Sequence, residues 1–190
     1  MSAADRSLLR EYVLWPDLRA ARYRATLGTT DRDSLEAFLD QHGTLKPARE
    51  LRYSYALHLA GAGQLDRFLR IYRAYYQGLG VARLNCIALH AEIEAGSGDR
   101  IVNRGRDLWL TGHSQAKECD PVFAYMREQK QLTDDDYRAR FALAIEAREF
   151  RRARWLARSL DVTLVEQAND WLRAQSKPQQ FVDTHAQRAD

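Results

Sequence analysis

Cysteine and lysine are the scarce residues of this 190-residue chain: two cysteines, and four lysines beside 25 arginines among 29 basic side chains. No run of about 18 apolar residues occurs, which excludes a membrane-spanning helix. No stretch alternates apolar and polar residues over strand length, which argues against sheet. The start, MSAADRSLLREYVLW, lacks the uninterrupted apolar stretch of a secretory signal, because Asp5, Arg6, Arg10 and Glu11 break it. That leaves two expectations: a cytosolic chain, or one that begins after a removed signal. A Gly-rich phosphate loop, a nucleophile elbow and a His-Glu-x-x-His helix are also missing. His42, His58, His90, His113 and His185 follow no metal-binding spacing. No metal and no cofactor are expected.

What is present reads as helix from end to end. An apolar fraction of 45% is ordinary for a folded domain and argues against disorder. Glycine and proline gather at intervals and leave periodic runs between them. An apolar face passes through Leu8, Tyr12, Leu14, Leu18, Tyr23 and Leu27, bent or divided at Pro16. Leu51, Tyr55, His58 and Leu59 recur at helical spacing after Pro47 and stop at Gly61 and Gly63. Thr133 is a candidate N-cap, with Asp134, Asp135 and Asp136 suited to a first turn. About ten helices with short links, recurring in pairs, predict an all-α solenoid of antiparallel helix pairs. Residues 1–175 are assigned to that single domain and 176–190 to a polar, flexible tail.

Cys86 lies within an apolar helical run and Cys119 opens another, 33 residues on. Four readings compete. A zinc site would need His90 and His113 as further ligands, in a spacing unlike structural zinc sites. A reactive thiol needs an exposed, electropositive setting, which Cys86 on an apolar face lacks. Two reduced core residues and a disulfide clamp remain. The expectation carried forward is a structural disulfide, with the oxidising compartment that it implies.

The run Trp109-Leu110-Thr111-Gly112-His113-Ser114-Gln115, followed by Cys119-Asp120 and Phe123, resembles the soluble lytic murein transglycosylases. These are periplasmic enzymes that cleave the glycan strands of peptidoglycan, and in them a cysteine also precedes the run at the distance of Cys86. Weaker matches lie upstream at Trp15-Pro16-Asp17-Leu18, Tyr23-Arg24 and Leu45-Lys46-Pro47-Ala48-Arg49. The resemblance implies the family's N-terminal U-type domain, a right-handed superhelix that precedes a lysozyme-like catalytic domain. It also implies a periplasmic location. The family's catalytic Glu-Ser start and its Gly-Leu-Met-Gln stretch have no counterpart here, so no catalytic residue is expected. The chain is then either a fragment or a stand-alone relative.

The carboxylate pairs that could serve a glycosidase are Glu92 with Glu94, Glu146 with Glu149, and the three aspartates. Helical geometry separates the first pair, arginines surround the second, and helix-start electrostatics explain the third. Arg148, Arg151, Arg152, Arg154 and Arg158, interrupted by Trp155, form the densest basic cluster. The same cluster is what the exposed side of an amphipathic helix would carry, so nucleic acid is not the expected partner. Tyr75 with Arg73, and Arg148, Arg151 and Arg152, are the candidate surface for glycan or for a partner. The expected function is a non-catalytic scaffold that binds or positions peptidoglycan. A missing catalytic domain is one candidate partner. The alternative is a stand-alone helical-repeat module, an adaptor or inhibitor that binds another protein.

Overall fold

The computed structural model describes residues 12–186, and among them the chain is all-α, with eleven α-helices, two short 3-10 turns and no strand. Two compact units meet in sequence between Leu79 and Gly80. The first contains α1 (Trp15–Ala25), α2 (Arg32–His42), α3 (Lys46–Gly61) and α4 (Leu65–Tyr75). Helix α3 packs against the other three. Its buried residues Ala48, Leu51, Arg52, Tyr55, Ala56 and Leu59 recur at the three- and four-residue spacing of one helical stripe. Leu35, Phe38 and Leu39 of α2, and Phe68 and Tyr72 of α4, complete this core.

Local signals set the ends of these helices. Asp31 accepts from the Ser34 backbone N–H at 2.9 Å and caps α2; the hydrogen bonds from Ser34 hold its carboxyl below the usual range. Pro16 sits at the second position of α1, so the chain starts a helix there rather than bending one. Of the apolar face expected around it, Leu8 lies outside the described residues, while Tyr12, Leu14 and Leu18 are exposed and Ala20 is the residue buried. Gly63, with φ of 71°, turns the chain out of α3.

The second unit runs through α5 (Ala82–Glu94), α6 (Val102–Trp109), α7 (Asp120–Glu128), α8 (Asp134–Glu146), α9 (Phe150–Ala157), α10 (Val162–Ser176) and α11 (Pro178–Ala186). The 3-10 turns span Gly98–Ile101 and Lys117–Cys119. Cys86 of α5 and Cys119 are joined by a disulfide, with Cα atoms 4.8 Å apart and both residues fully buried. The zinc and free-thiol readings fall with that bond. An ion pair flanks it, Arg83 to Glu118 at 2.7 Å. The stretch expected as a polar tail carries helix α11. Pro178 is its first residue, and the Gln179 amide donates to the Asp183 carboxylate at 3.0 Å across one turn.

Thr133 caps α8 as its sequence implied. The Thr133 hydroxyl accepts from the Asp136 N–H, and the Asp136 carboxylate accepts from the Thr133 N–H at 2.8 Å. Burial raises the Asp136 pKa, but hydrogen bonds from Thr133 and Arg106 outweigh it and leave the group below its ordinary value. A depressed acid stabilises the fold above its unfolded pKa, about 3.9, and loses that contribution as pH falls through the folded value. Asp136→Asn is therefore expected to lower stability at neutral pH and to flatten the acid limb of a urea-midpoint profile between about pH 5 and pH 2. An unchanged acid limb would contradict the assignment.

Candidate functional site

The Trp-Leu-Thr-Gly-His run is a packing joint. Trp109 is 1% exposed, and its ring lies 5.2 Å from both Phe123 and Tyr137, centroid to centroid. Its indole N–H donates to the Asp136 carbonyl at 3.3 Å. The Arg140 guanidinium sits 4.1 Å from the Trp109 ring centroid, and Arg140 Nε donates to the Thr111 carbonyl at 3.3 Å. Arg140 is only 2% exposed, and burial, helped by the charge of Arg152, pushes its pKa down to about 10. Gly112 follows, where a Cβ would overlap the Leu143 carbonyl oxygen and the Ala147 methyl. His113 then reaches Glu149 at 3.5 Å. Gly112 and its neighbours let one length of backbone pass close over α8.

Accessible polar chemistry in the second unit gathers along α9 and α10. Phe150 and Trp171 stack with centroids 5.6 Å apart and planes within 14°, and Trp171 remains 51% exposed. A depression of about 210 Å³ beside them is lined by Ile145, Arg148 and Gln175. Gln175 also borders a groove of about 480 Å³ that holds Arg151, Arg154, Asn169 and Arg173. Arg154 reaches the Asn169 amide oxygen at 3.5 Å, and Arg173 pairs with Asp170 at 3.3 Å. Arg148 and Arg151 form no ion pair among the described residues. Arg152 lines neither depression; its Nε is buried without a hydrogen-bond partner. The structure therefore places Arg148 beside Trp171, Arg151 in the other groove, and Arg152 in neither.

Arg148 is also unusual in its backbone. With φ of 59° it occupies the left-handed region just after α8, where glycine is at ease.

In the first unit, Tyr75 lies over the Arg52 guanidinium, 3.9 Å from ring centroid to carbon, at the mouth of a cleft of about 260 Å³. Arg73 is exposed and does not line this cleft. The partners that the sequence reading did not single out are Glu36, Asp40, Arg52, Arg67 and Arg70. Glu36 accepts from the Tyr55 hydroxyl at 2.8 Å and lies 3.7 Å from Arg67. Burial, then that hydrogen bond, push the Tyr55 pKa up to about 12. A usable signal existed in Glu36 and Asp40, four apart on one helix, and in Arg67 and Arg70, three apart on another.

Three of the glutamates considered as acid–base candidates face basic partners. Glu92 binds Arg104, Glu94 lies 3.9 Å from His90, and Glu149 faces His113. Among the described residues, no three His, Cys, Asp or Glu side chains group as metal ligands. No helix there is long and apolar enough to cross a membrane.

Fold and surface together define an all-α protein of stacked helix pairs, stapled by a buried disulfide and offering arginine and aromatic surface. Over most of its length this chain is homologous to part of the soluble lytic murein transglycosylases. It is 26% identical to that protein of Salmonella typhimurium and 25% identical to that of Escherichia coli K12, each over 139 residues, or 73% of this chain. It spans about a fifth (21%) of the length of those relatives. The lytic transglycosylase Slt of Pseudomonas aeruginosa, solved as an inactive mutant, shares 30% identity and superposes with a TM-score of 0.75. That match covers 96% of this chain and 29% of the other. The 70-kDa soluble lytic transglycosylase of Escherichia coli has the same fold, with a TM-score of 0.72 at 23% identity, over 84% of this chain and 26% of its own. No protein-family model matches the chain.

Proposed function

We propose that this chain is a non-catalytic scaffold that binds peptidoglycan in the periplasm, with the α9–α10 surface as its contact. The observation that carries the reading is the half-exposed Trp171 face, stacked on Phe150 beside Arg148, with Arg151 and Arg154 in a second depression that shares Gln175 with it. An aromatic face held flat by a second ring suits a sugar ring, and guanidinium groups suit the carboxylates of the polymer. Homology to enzymes named for murein supports the ligand class, and the disulfide supports an oxidising compartment.

The test is co-sedimentation with purified sacculi at low and high salt. The chain is expected in the pellet at low salt and increasingly in the supernatant as salt screens the arginines. Arg148→Gly separates function from stability. It should relieve the left-handed strain, stabilising the fold by about 1 kcal/mol, while reducing sacculus binding. No sedimentation at low salt contradicts the reading. A second reading, a protein-binding module, draws on the exposure of Val162 (70%) and Val182 (59%) on α10 and α11. It predicts no sacculus binding.

A further inference from the structure

The cleft of the first unit contains a cation that no carboxylate neutralises among the described residues. Arg52 is 8% exposed, so its guanidinium is largely withdrawn from water. It donates to the Gly43 carbonyl at 3.4 Å and lies against the Tyr75 ring, and no carboxylate pairs with it among the described residues. Burying a guanidinium without a counter-ion costs several kcal/mol, a cost that a bound anion would offset. Arg70 lines the same cleft and also forms no ion pair among the described residues. Glu36 is engaged by Tyr55 and Arg67, so it does not neutralise this pair.

The rest of the lining narrows the ligand. Leu39, Ile71 and Ala74 give apolar wall, and Asp40 supplies an acceptor without an ion-pair partner among the described residues. At about 260 Å³ the cleft lies below the roughly 300 Å³ at which most small-molecule sites begin. That suits one or two residues of peptide rather than a run of sugars.

We propose that this cleft binds the terminal carboxylate of a short peptide. Arg52 and Arg70 donate to the carboxylate, and the apolar wall takes a small terminal side chain. Asp40 accepts from an N–H further along the peptide. Resting on the scaffold reading for its natural source, the site takes the free C-terminal ends of the polymer's peptide stems.

The experiment titrates the whole chain by calorimetry with Nα-acetyl-alanyl-alanine and with the same dipeptide carrying a C-terminal amide. The free acid should bind at least about tenfold more tightly than the amide, the worth of a charge-assisted hydrogen bond. Arg70→Gln should weaken the acid by a similar factor without shifting the thermal midpoint, because Arg70 makes no ion pair among the described residues. Arg148→Gly should leave peptide affinity unchanged. Equal affinity for acid and amide, or no binding of either at tens of millimolar, overturns the proposal. Peptide binding without sacculus sedimentation keeps the cleft and sinks the scaffold reading. Sedimentation without peptide binding does the reverse.

Discussion

Trp109→Ala is expected to destabilise the second unit by about 3–5 kcal/mol, the range for removing a fully enclosed large aromatic side chain. The expectation rests on more than volume. The indole meets Phe123 and Tyr137 edge-on, carries the Arg140 guanidinium on its face and closes a hydrogen bond to the Asp136 carbonyl. Removing it leaves a buried cation without its aromatic support, a cost beyond that of the cavity. Domains of this size keep only about 5–15 kcal/mol in reserve, so the variant should be marginal at 37 °C. Urea unfolding followed by circular dichroism measures the loss. Trp155→Ala is the control: that ring lies 6.3 Å from Trp109 but is 44% exposed, so its removal should cost less than half as much. Equal losses for the two variants would show that Trp109 is not the centre of the unit.

The second large effect belongs to the disulfide. Closing a loop between residues 33 apart restricts the unfolded chain enough to stabilise the fold by about 3–4 kcal/mol in the chain-entropy picture. The double variant Cys86→Ala with Cys119→Ala should lose that amount, with the same helical signal at neutral pH. Both sulfurs are enclosed, so reductant should act on the native protein only through opening of the unit. Thiol release in dithiothreitol should therefore accelerate in parallel with added urea. Immediate release without urea, or free thiols in a non-reducing peptide map, would contradict the staple.

Much of this architecture was legible in the sequence because its causes are local. The Thr133 cap, the helix start at Pro47 and the stop after Gly61 each depend on residues within one turn. Cys86 and Cys119 were legible as a pair, and Trp109–Gly112 as a distinctive run, although the reason for that run appears only in the packing of Arg140 and Leu143. Arg52 and Arg140 were illegible as buried residues. Each lies in a helix whose charged positions read as solvated, and each is enclosed by an aromatic ring from another helix. Trp171 errs the other way. It reads as part of an apolar helix face, yet it lies on Phe150 with its other side open. The cleft around Arg52 draws on three helices, so no single window of sequence displays it.

The most direct test of the scaffold account combines binding with turnover in one tube. Sacculi are incubated with the chain, pelleted, and both fractions are assayed, for protein in the pellet and for soluble glycan fragments in the supernatant. The account predicts protein in the pellet at low salt, less with Arg148→Gly, and no fragments above the buffer control. Fragment release that depends on the chain, or a pellet without protein at low salt, would contradict it.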